Sequence, residues 1–476
     1  MTKISGWIFT IALWCVAMAI AAPAQTFDSL FSFDGHNGSE PYYGSLVQGP
    51  DGNFYGTTYE GGDVRCNNSD MGCGTVFRIT PAGTMTTIHI FCTGTDCSDG
   101  AYPYGGLVVG ADGNLYGTTS SGGANGAGSV FKILPNGALK TLHSFDNSDG
   151  VAPYGTLIQA ADGNFYGTTF AGGANTYGTV FKMTPSGTLT TLYSFCAQFD
   201  CDDGGQPIAG LVQGTDGNFY GTTSGGGFNN DGQGTVFKIT TSGTLTTLHS
   251  FDGPDGSYPD GGLVEASNGS FYGTTEFRGP RTGGTIFGIT PQGTFRTIYG
   301  LGGANKGAGA YPYDAMIQAT DGKLYGTTSA GGVGTNFGTV FNVASGGAVT
   351  TLYSFDGTDG TNPVSGLVQS TNGNFYGTTR IGGADDYGTV FSLSMGLGPF
   401  VRMVSASGRV GQTRGILGQG FTGTTGVSFN GTAATFTVVS DTYVTATVPA
   451  GATTGSVTVI TPSGTLTSNT PFRVLP

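Results

Sequence analysis

The stretch DGNFYGTT, from Asp51 to Thr58, decides the fold because it returns. It recurs as DGNLYGTT from Asp112, as DGNFYGTT from Asp162 and Asp216, and as NGSFYGTT from Asn268. DGKLYGTT from Asp321 and NGNFYGTT from Asn372 complete the series. A period of roughly fifty residues marks a repeat architecture, in which one supersecondary unit is written again and again. The third copy runs YGTLIQAADGNFYGTTFAGGANTYGTVFKMTPSGTLTTLYSF, from Tyr154 to Phe195. It parses into four short strands, GTLIQ, NFYGTT, GTVFKMT and TLTTLYSF. Strong β formers fill them, and Asp-Gly and Pro-Ser-Gly supply the turns.

Four antiparallel strands per repeat is the pattern of a β-propeller blade. The chain is therefore expected to be all-β, with seven copies giving a seven-bladed β-propeller. A β-solenoid is the rival, but its coils are shorter and lack this parse. The last copy stops at GTVFSLS, Gly388 to Ser394, without an outermost strand. TFDSLFSF, Thr26 to Phe33, is an outermost strand without the other three. The N-terminal strand is thus expected to complete the last blade and close the ring, since an open array would leave an unpaired edge.

The repeat, with its DGNFYGTT, GTVFKITP-like and LYSF segments over residues 26 to about 395, resembles the GloVer tandem-repeat family of exported bacterial proteins. The resemblance implies a secreted, propeller-like array and brings no settled activity. From about Leu397 the period vanishes into a Thr/Val-rich tail. Its GQGF turn (Gly418 to Phe421) and its VSFNG, VPAG and TPSG segments resemble an IPT/TIG immunoglobulin-like module, a small β-sandwich usually serving as spacer or adhesion unit. The expected division is a signal peptide over 1–24, the propeller over 25–396 and the sandwich over 397–476.

The opening segment has Lys3, a long apolar run and the small-residue triplet Ala22-Pro23-Ala24, which reads as a secretory signal. The expected location is secreted, periplasmic or cell-surface, with no membrane insertion after cleavage. Without Cys15, the seven cysteines leave six, as the pairs Cys66 with Cys73, Cys92 with Cys97 and Cys196 with Cys201. Export favours disulfides for these. Metal binding is the rival, but no histidine is interleaved and no pair has CxxC spacing. The formal net charge of −13 becomes −14 without Lys3, which argues against nucleic acid and anionic membranes as partners. No cofactor is expected.

Comparison among the seven copies separates scaffold from variable chemistry. His89, His143 and His249 share a column of the outer strand with Tyr193, Tyr299, Tyr353 and Phe31, so they read as packing. Turns after the first and third strands are short and uniform, whereas the remaining loops are long and varied. The working face is expected to carry the long loops. Their carboxylates, among them Asp146, Asp149, Asp252, Asp255, Asp356 and Asp359, suit calcium, but the twelve-residue calcium-loop pattern is absent. Asx-turns are the plainer reading.

Two columns on that face break the symmetry. The residue after each loop proline reads Tyr43, Tyr104, Tyr154, Ile208, Asp260, Tyr313, Val364 when one extra residue is allowed in the first copy. The residue after each GTT reads Tyr59, Ser120, Phe170, Ser224, Glu276, Ser329, Arg380. The fifth copy departs furthest, with TTEFRGPRTGGT bringing Glu276, Arg278 and Arg281. Tyrosines at a channel mouth stack on sugars or cradle a peptide, or they simply cap the core. No nucleophile elbow and no HExxH motif is present. The leading expectation is a non-catalytic exported binding protein for a glycan or extracellular partner, using Tyr43, Tyr104, Tyr154, Tyr313, Asp260, Glu276, Arg278, Arg281 and Arg380. One alternative is a glycoside hydrolase or polysaccharide lyase with Asp260 and Glu276 as paired carboxylates. A structural envelope protein is the other.

Overall fold

A computed structural model describes residues 25–62, 66, 71–94, 96–228, 232–302 and 307–475. The expected signal peptide, residues 1–24, lies outside them. From Thr26 to Ser394 the described chain forms four-stranded antiparallel sheets, one per copy, in a propeller-like array. In the third copy the strands are Ile158–Gln159, Phe165–Thr169, Thr179–Met183 and Leu189–Ser194, hydrogen-bonded in that order.

Each residue of the repeated octet has a structural task. In the third copy, Asp162 accepts hydrogen bonds from the Asn164 backbone and side chain, from the Tyr166 hydroxyl at 2.9 Å and from Lys182 at 2.9 Å. Gly167 has no side chain because a Cβ would lie 2.6 Å from the Phe181 ring. Thr168 bonds the carbonyl of Ala209 in the next repeat at 2.9 Å, while Thr169 meets Thr179 at 2.9 Å inside the sheet. The octet is a local turn and a lateral clamp written in eight residues.

Neighbouring sheets are tied by two further recurring contacts. The tyrosine of one octet packs, tilted, against the Phe of another, as in Tyr166 on Phe219 at 4.1 Å and Tyr376 on Phe54 at 4.1 Å. A glutamine from the next inner strand receives the turn N–H, as in Ala161 to Gln213 and Thr371 to Gln48. The last copy therefore meets the first through the same contacts that join the third copy to the fourth. The expected end-pairing is present as well. Thr26–Ser32 runs antiparallel to Thr389–Ser394, with Thr26 opposite Ser394 and Ser32 opposite Thr389.

Two strands differ from expectation. GTLIQ pairs only at Ile158 and Gln159, because Thr156 turns sideways to accept the Gly106 N–H of the previous copy at 2.8 Å. In the fifth copy part of the expected loop is strand. Thr282–Ile289 and Phe295–Gly302 are eight residues each, paired from Thr282 opposite Gly302.

The tail forms two four-stranded sheets over one apolar core that includes Val401, Ile416, Phe429, Val444, Val459 and Phe472. It sits on the short-turn side of the array. Thr442 donates to the Pro50 carbonyl at 2.8 Å, the Phe400 N–H to Thr371 at 3.0 Å, and Arg402 to Gln369. The Arg473 guanidinium stands beside Gly217. These contacts reach Asp-Gly or Asn-Gly turns of the first, fourth and seventh sheets, so the tail lies across that face.

The three expected cysteine pairs are bonded as disulfides, all in long-face loops. Cys66, Cys73, Cys92 and Cys97 are buried together, with their sulfurs within 4.8 Å of one another. Two loops of different repeats are thus stapled side by side, which fits an exported protein.

Candidate functional site

The frame of the site is a backbone device that repeats with the sheets. In every copy the residue before the loop proline adopts a left-handed conformation, with φ between 50° and 59° at Glu40, Tyr102, Ala152, Gln206, Tyr258, Tyr311 and Asn362. Six of these are neither Gly nor Asn, so the conformation costs energy that surrounding bonds must hold. Each carbonyl accepts the N–H of the residue after GTT, as in Phe170 to Ala152 at 3.0 Å and Glu276 to Tyr258 at 2.9 Å. Each N–H donates to the previous copy's loop, as in Ala152 to Ala127 and Glu40 to Tyr387. Both variable columns are therefore pinned to one strained residue, and their side chains project from a fixed frame.

Close packing at the axis then gathers those side chains. A Cβ on Gly105 would lie 2.6 Å from the Tyr154 carbonyl, so only glycine permits this approach between adjacent copies. Tyr43 stacks on Tyr104 at 4.6 Å, Tyr104 meets Tyr154 at 4.3 Å, and Tyr154 meets Phe170 at 5.1 Å. Tyr313 stands edge-on to Tyr43 at 5.7 Å. Four expected tyrosines from the first, second, third and sixth copies thus form one half-buried aromatic basin.

On one flank stand the expected carboxyls. Asp260 and Glu276 are 8% and 5% exposed, and their side chains are in hydrogen-bond contact. Tyr313 bonds Glu276 from the next copy. Burial, and then the neighbouring Glu276 charge, pushes the Asp260 carboxyl well above the ordinary carboxylate range. Burial raises Glu276 too, against the bonds from Tyr313 and Asp260. Two carboxyls held side by side away from water disfavour each other's charge. Asp260 Oδ1 is buried and has no hydrogen-bond donor. Burial likewise raises the Tyr43 and Tyr104 phenols, which keeps them neutral donors.

On the opposite flank Arg380 pairs with Glu40 at 3.0 Å, and its guanidinium lies 4.5 Å from the Tyr42 ring centroid. Tyr42 and Glu40 were not singled out from the sequence. The one-residue offset of the first copy hides Tyr42 behind Tyr43, and only the pairing of Glu40 across the chain's ends reveals it. Asp314 was missed as well. It occupies a position where other copies have small residues, and its carboxylate accepts Ser45 Oγ at 3.0 Å and the Gly366 N–H at 2.6 Å.

Two expected site residues are not brought to the basin. Arg281 turns to the outer strand, donating to the Tyr299 hydroxyl at 2.8 Å with its guanidinium 4.9 Å from that ring. Arg278 is exposed and lies over Gly253 in the loop entering the fifth copy. The strand extension of the fifth copy carries Arg281 outward.

The histidine column does more than pack. His89, His143 and His249 bond Asp99, Asp149 and Asp255 at 2.9, 2.7 and 2.7 Å, and Tyr193 bonds Asp203 at 2.7 Å in the same column. The same aspartates accept backbone N–H groups, as in Asp146 to Asp149 at 2.9 Å. Asp146 and Asp356 receive the N–H two residues on, at Ser148 and Thr358, as Asx-turns. These loop carboxylates fasten the long loops to the outer strand.

Two grooves of about 510 and 490 Å³ lie between adjacent sheets, far from the basin. The octet tyrosines Tyr55 and Tyr272 line them, beside Arg78 of a third strand and Arg296 of a fourth strand.

Fold and site together define a propeller-like repeat protein with a basin of tyrosines and carboxyls at its axis. The sequence profile of the Gloeobacter/Verrucomicrobia repeat matches residues 64–267 and 230–439, and the chain belongs to that family. No curated protein matches the sequence. Among solved structures, a fungal alcohol oxidase of the AA5 family in complex with copper aligns at TM-score 0.48 and 14% identity, over 92% of this chain and 98% of that one. A putative 6-phosphogluconolactonase from Bacteroides fragilis aligns at 0.42 and 18%, over 64% and 83%. A gluconolactonase from Xanthomonas campestris aligns at 0.39 and 12%, over 61% and 84%. Likeness at this level carries no argument about chemistry.

Proposed function

We propose that this is an exported, non-catalytic binding protein that holds a glycan in the tyrosine basin of its long-loop face. The repeated part is read as a closed seven-bladed propeller and the tail as an IPT/TIG-like sandwich serving as spacer. In support of closure, the last and first copies meet through a ring contact and a glutamine bond that recur between other neighbours, such as the third and fourth. The observation that carries the functional reading is the run of rings from Tyr313 through Tyr43 and Tyr104 to Tyr154, contributed by four copies of an otherwise uniform repeat. Aromatic faces with hydroxyl edges suit sugar rings, which present C–H faces and a hydroxyl rim.

A second observation supports the choice of face. Among the described residues of the repeated part, every large apolar side chain left exposed stands in a long-face loop. Phe199 at 84%, Val333 at 73% and Phe228 at 61% are the most exposed. Exposed apolar groups concentrated on one face mark an interaction surface.

The hydrolase reading loses ground on geometry. Glycoside hydrolysis needs two carboxyls about 5–10 Å apart, with sugar or water between them. Asp260 and Glu276 instead stand in direct hydrogen-bond contact, with no room for sugar or water between them. The test is a screen of the purified chain against a glycan library, read for both retention and product. Retention without product, lost in the Tyr104→Ala/Tyr154→Ala double variant, is expected. Product formation abolished by Glu276→Gln would transfer the case to the enzyme.

A further inference from the structure

We propose that Cys66, Cys73, Cys92 and Cys97, in their thiol form, make a tetrathiolate site for zinc where two long-face loops flank the first sheet. The inference is independent of the glycan reading. The ligands come from two loops, seven and five residues apart within each pair, so no CxxC motif announces them.

The geometry is that of a metal cage. All four sulfurs lie within 4.8 Å of one another, and all four side chains are buried. Zinc holds thiolates at about 2.3 Å in a tetrahedron, which sets its sulfurs about 3.8 Å apart. Two disulfides need each sulfur close to one partner. Here each is close to three.

The chain carries its own comparison. FCTGTDC, from Phe91, and FCAQFDC, from Phe195, are the same loop in the first and third copies. Cys196 and Cys201 pair there with no further cysteine nearby in the sequence, so that loop needs one disulfide and nothing more. Cys92 and Cys97 share its backbone form, with φ of 58° and 44° against 59° and 59°. Only the first copy has cysteines in the loop that follows GTT, and they are brought against the first pair.

The frame of the cluster does not depend on its sulfur bonds. Tyr102 donates its N–H to the Cys73 carbonyl at 2.8 Å, and the Cys97 carbonyl accepts the Gly100 and Gly123 N–H groups, each at 2.9 Å. The Cys92 N–H donates to Asp99 at 3.1 Å, and the other oxygen of Asp99 meets His89 at 2.9 Å. These bonds keep the four residues gathered when they carry thiols. The Tyr102 hydroxyl stands 3.5 Å from Cys66 Sγ, placed to donate to a thiolate as outer partners of metal ligands do. Four soft sulfur ligands in a tetrahedral set select zinc over oxygen-seeking ions. A closed cage suits a structural zinc, which is enclosed as its ligand loops fold around it.

Binding is an exchange without a redox step. One Zn2+ enters, four thiol protons leave to solvent, and the centre is dianionic. Metal and disulfides use the same sulfurs, so the oxidised chain excludes the ion.

The experiment takes the whole mature chain, reduced with a phosphine under argon, and titrates it with Co2+ as a spectroscopic stand-in for zinc. One Co2+ per chain is expected, with the visible absorption of a tetrahedral tetrathiolate centre, displaced by one Zn2+. The oxidised chain should show no such absorption. Cys66→Ser with Cys73→Ser should weaken binding by about a hundred-fold or more, whereas Cys196→Ser with Cys201→Ser should leave it unchanged. The stoichiometry and spectrum of the unmutated reduced chain stand even where a variant misfolds. An octahedral spectrum, or no uptake at micromolar metal, overturns the site. Tetrahedral binding that survives in the Cys66→Ser/Cys73→Ser chain, or that is lost in the Cys196→Ser/Cys201→Ser chain, overturns its assignment to these four residues.

Discussion

The two faces of the array are built from the same repeat and treat it in opposite ways. On the short-turn face, Asp112, Asp162 and Asp216 make the same bonds to Asn and Tyr, and the tail lies over the turns. On the long-loop face the same strands end in five different residue types, Tyr, Ser, Phe, Glu and Arg, with disulfides, exposed Phe and Val side chains and buried carboxyls. A repeat protein gains specificity only where its copies disagree, and here the disagreement is confined to one side.

The largest expected effect comes from breaking what both faces share. Deleting Thr26–Ser32 removes Phe27, Leu30 and Phe31 from packed positions at about 3 kcal/mol each. The sum is comparable to a whole domain's stability, so this variant should fail to give a cooperative melt. Deleting the tail from Gly398 onward should lower the melting temperature far less, because the tail has its own core. An unchanged melt in the first variant would show that the ring does not depend on this strand.

Next in size is the split between binding and stability. Tyr104→Ala with Tyr154→Ala should weaken glycan binding by about ten- to hundred-fold, from about 1 kcal/mol or more per lost stack. The melting temperature should move by only a few degrees. Asp162→Ala on the other face should do the reverse, costing about 1–2 kcal/mol of stability with binding untouched.

A smaller contrast is electrostatic. Burial raises Asp112 and Asp162, but the bonds from Lys, Asn and Tyr outweigh it and leave both below the ordinary 3.8. The unfolded chain binds those protons first, so their stabilisation is present above about pH 4 and is lost as pH falls through the lower folded values. Asp260 is displaced the other way, above 3.8. Its unfolded form releases the proton first, so native stability declines as pH rises from about 4 toward the folded value. Asp260→Asn should therefore gain melting temperature over the parent by roughly 1–3 °C at pH 8 and by almost nothing at pH 4. A gain independent of pH would remove the buried charge as its cause.

The most local effect should come from reduction. Each disulfide closes a loop of a few residues and is worth roughly 2 kcal/mol. Reduction should loosen the long loops, read as faster proteolysis there, and leave the short-turn face protected.

Much of the scaffold was legible in the sequence, because a repeat is its own internal comparison. The four strands per copy, the pairing of Thr26–Ser32 with the last copy and the cysteine pairs could all be read from position and pattern. The site was legible only as columns. The sequence placed Tyr43, Tyr104, Tyr154, Tyr313 and Asp260 in one column and Glu276 in a second, and the packing of the copies turned those columns into contact. Arg281 shared their loop in sequence but followed a strand extension outward. The histidine column looked like packing because its partner aspartates lie at varying distances along the loops, which aligned columns do not capture. The left-handed residue before each proline left no signature at all, since Glu, Tyr, Ala, Gln and Asn all occupy it.

The end-pairing strand also sets an order of events. Ser32 receives the Ala384 N–H across 352 residues of chain, so the first described strand must wait for the last repeat before it finds its partner. A contact of that span closes late and slowly. Until then each emerging copy can stack on its predecessor, but the growing assembly keeps two raw edges, one at each end. A chain threaded across a membrane from its leading end would therefore present its earliest segment unmatched throughout transit. The end-pairing could form only on the far side, after the whole run of repeats had arrived.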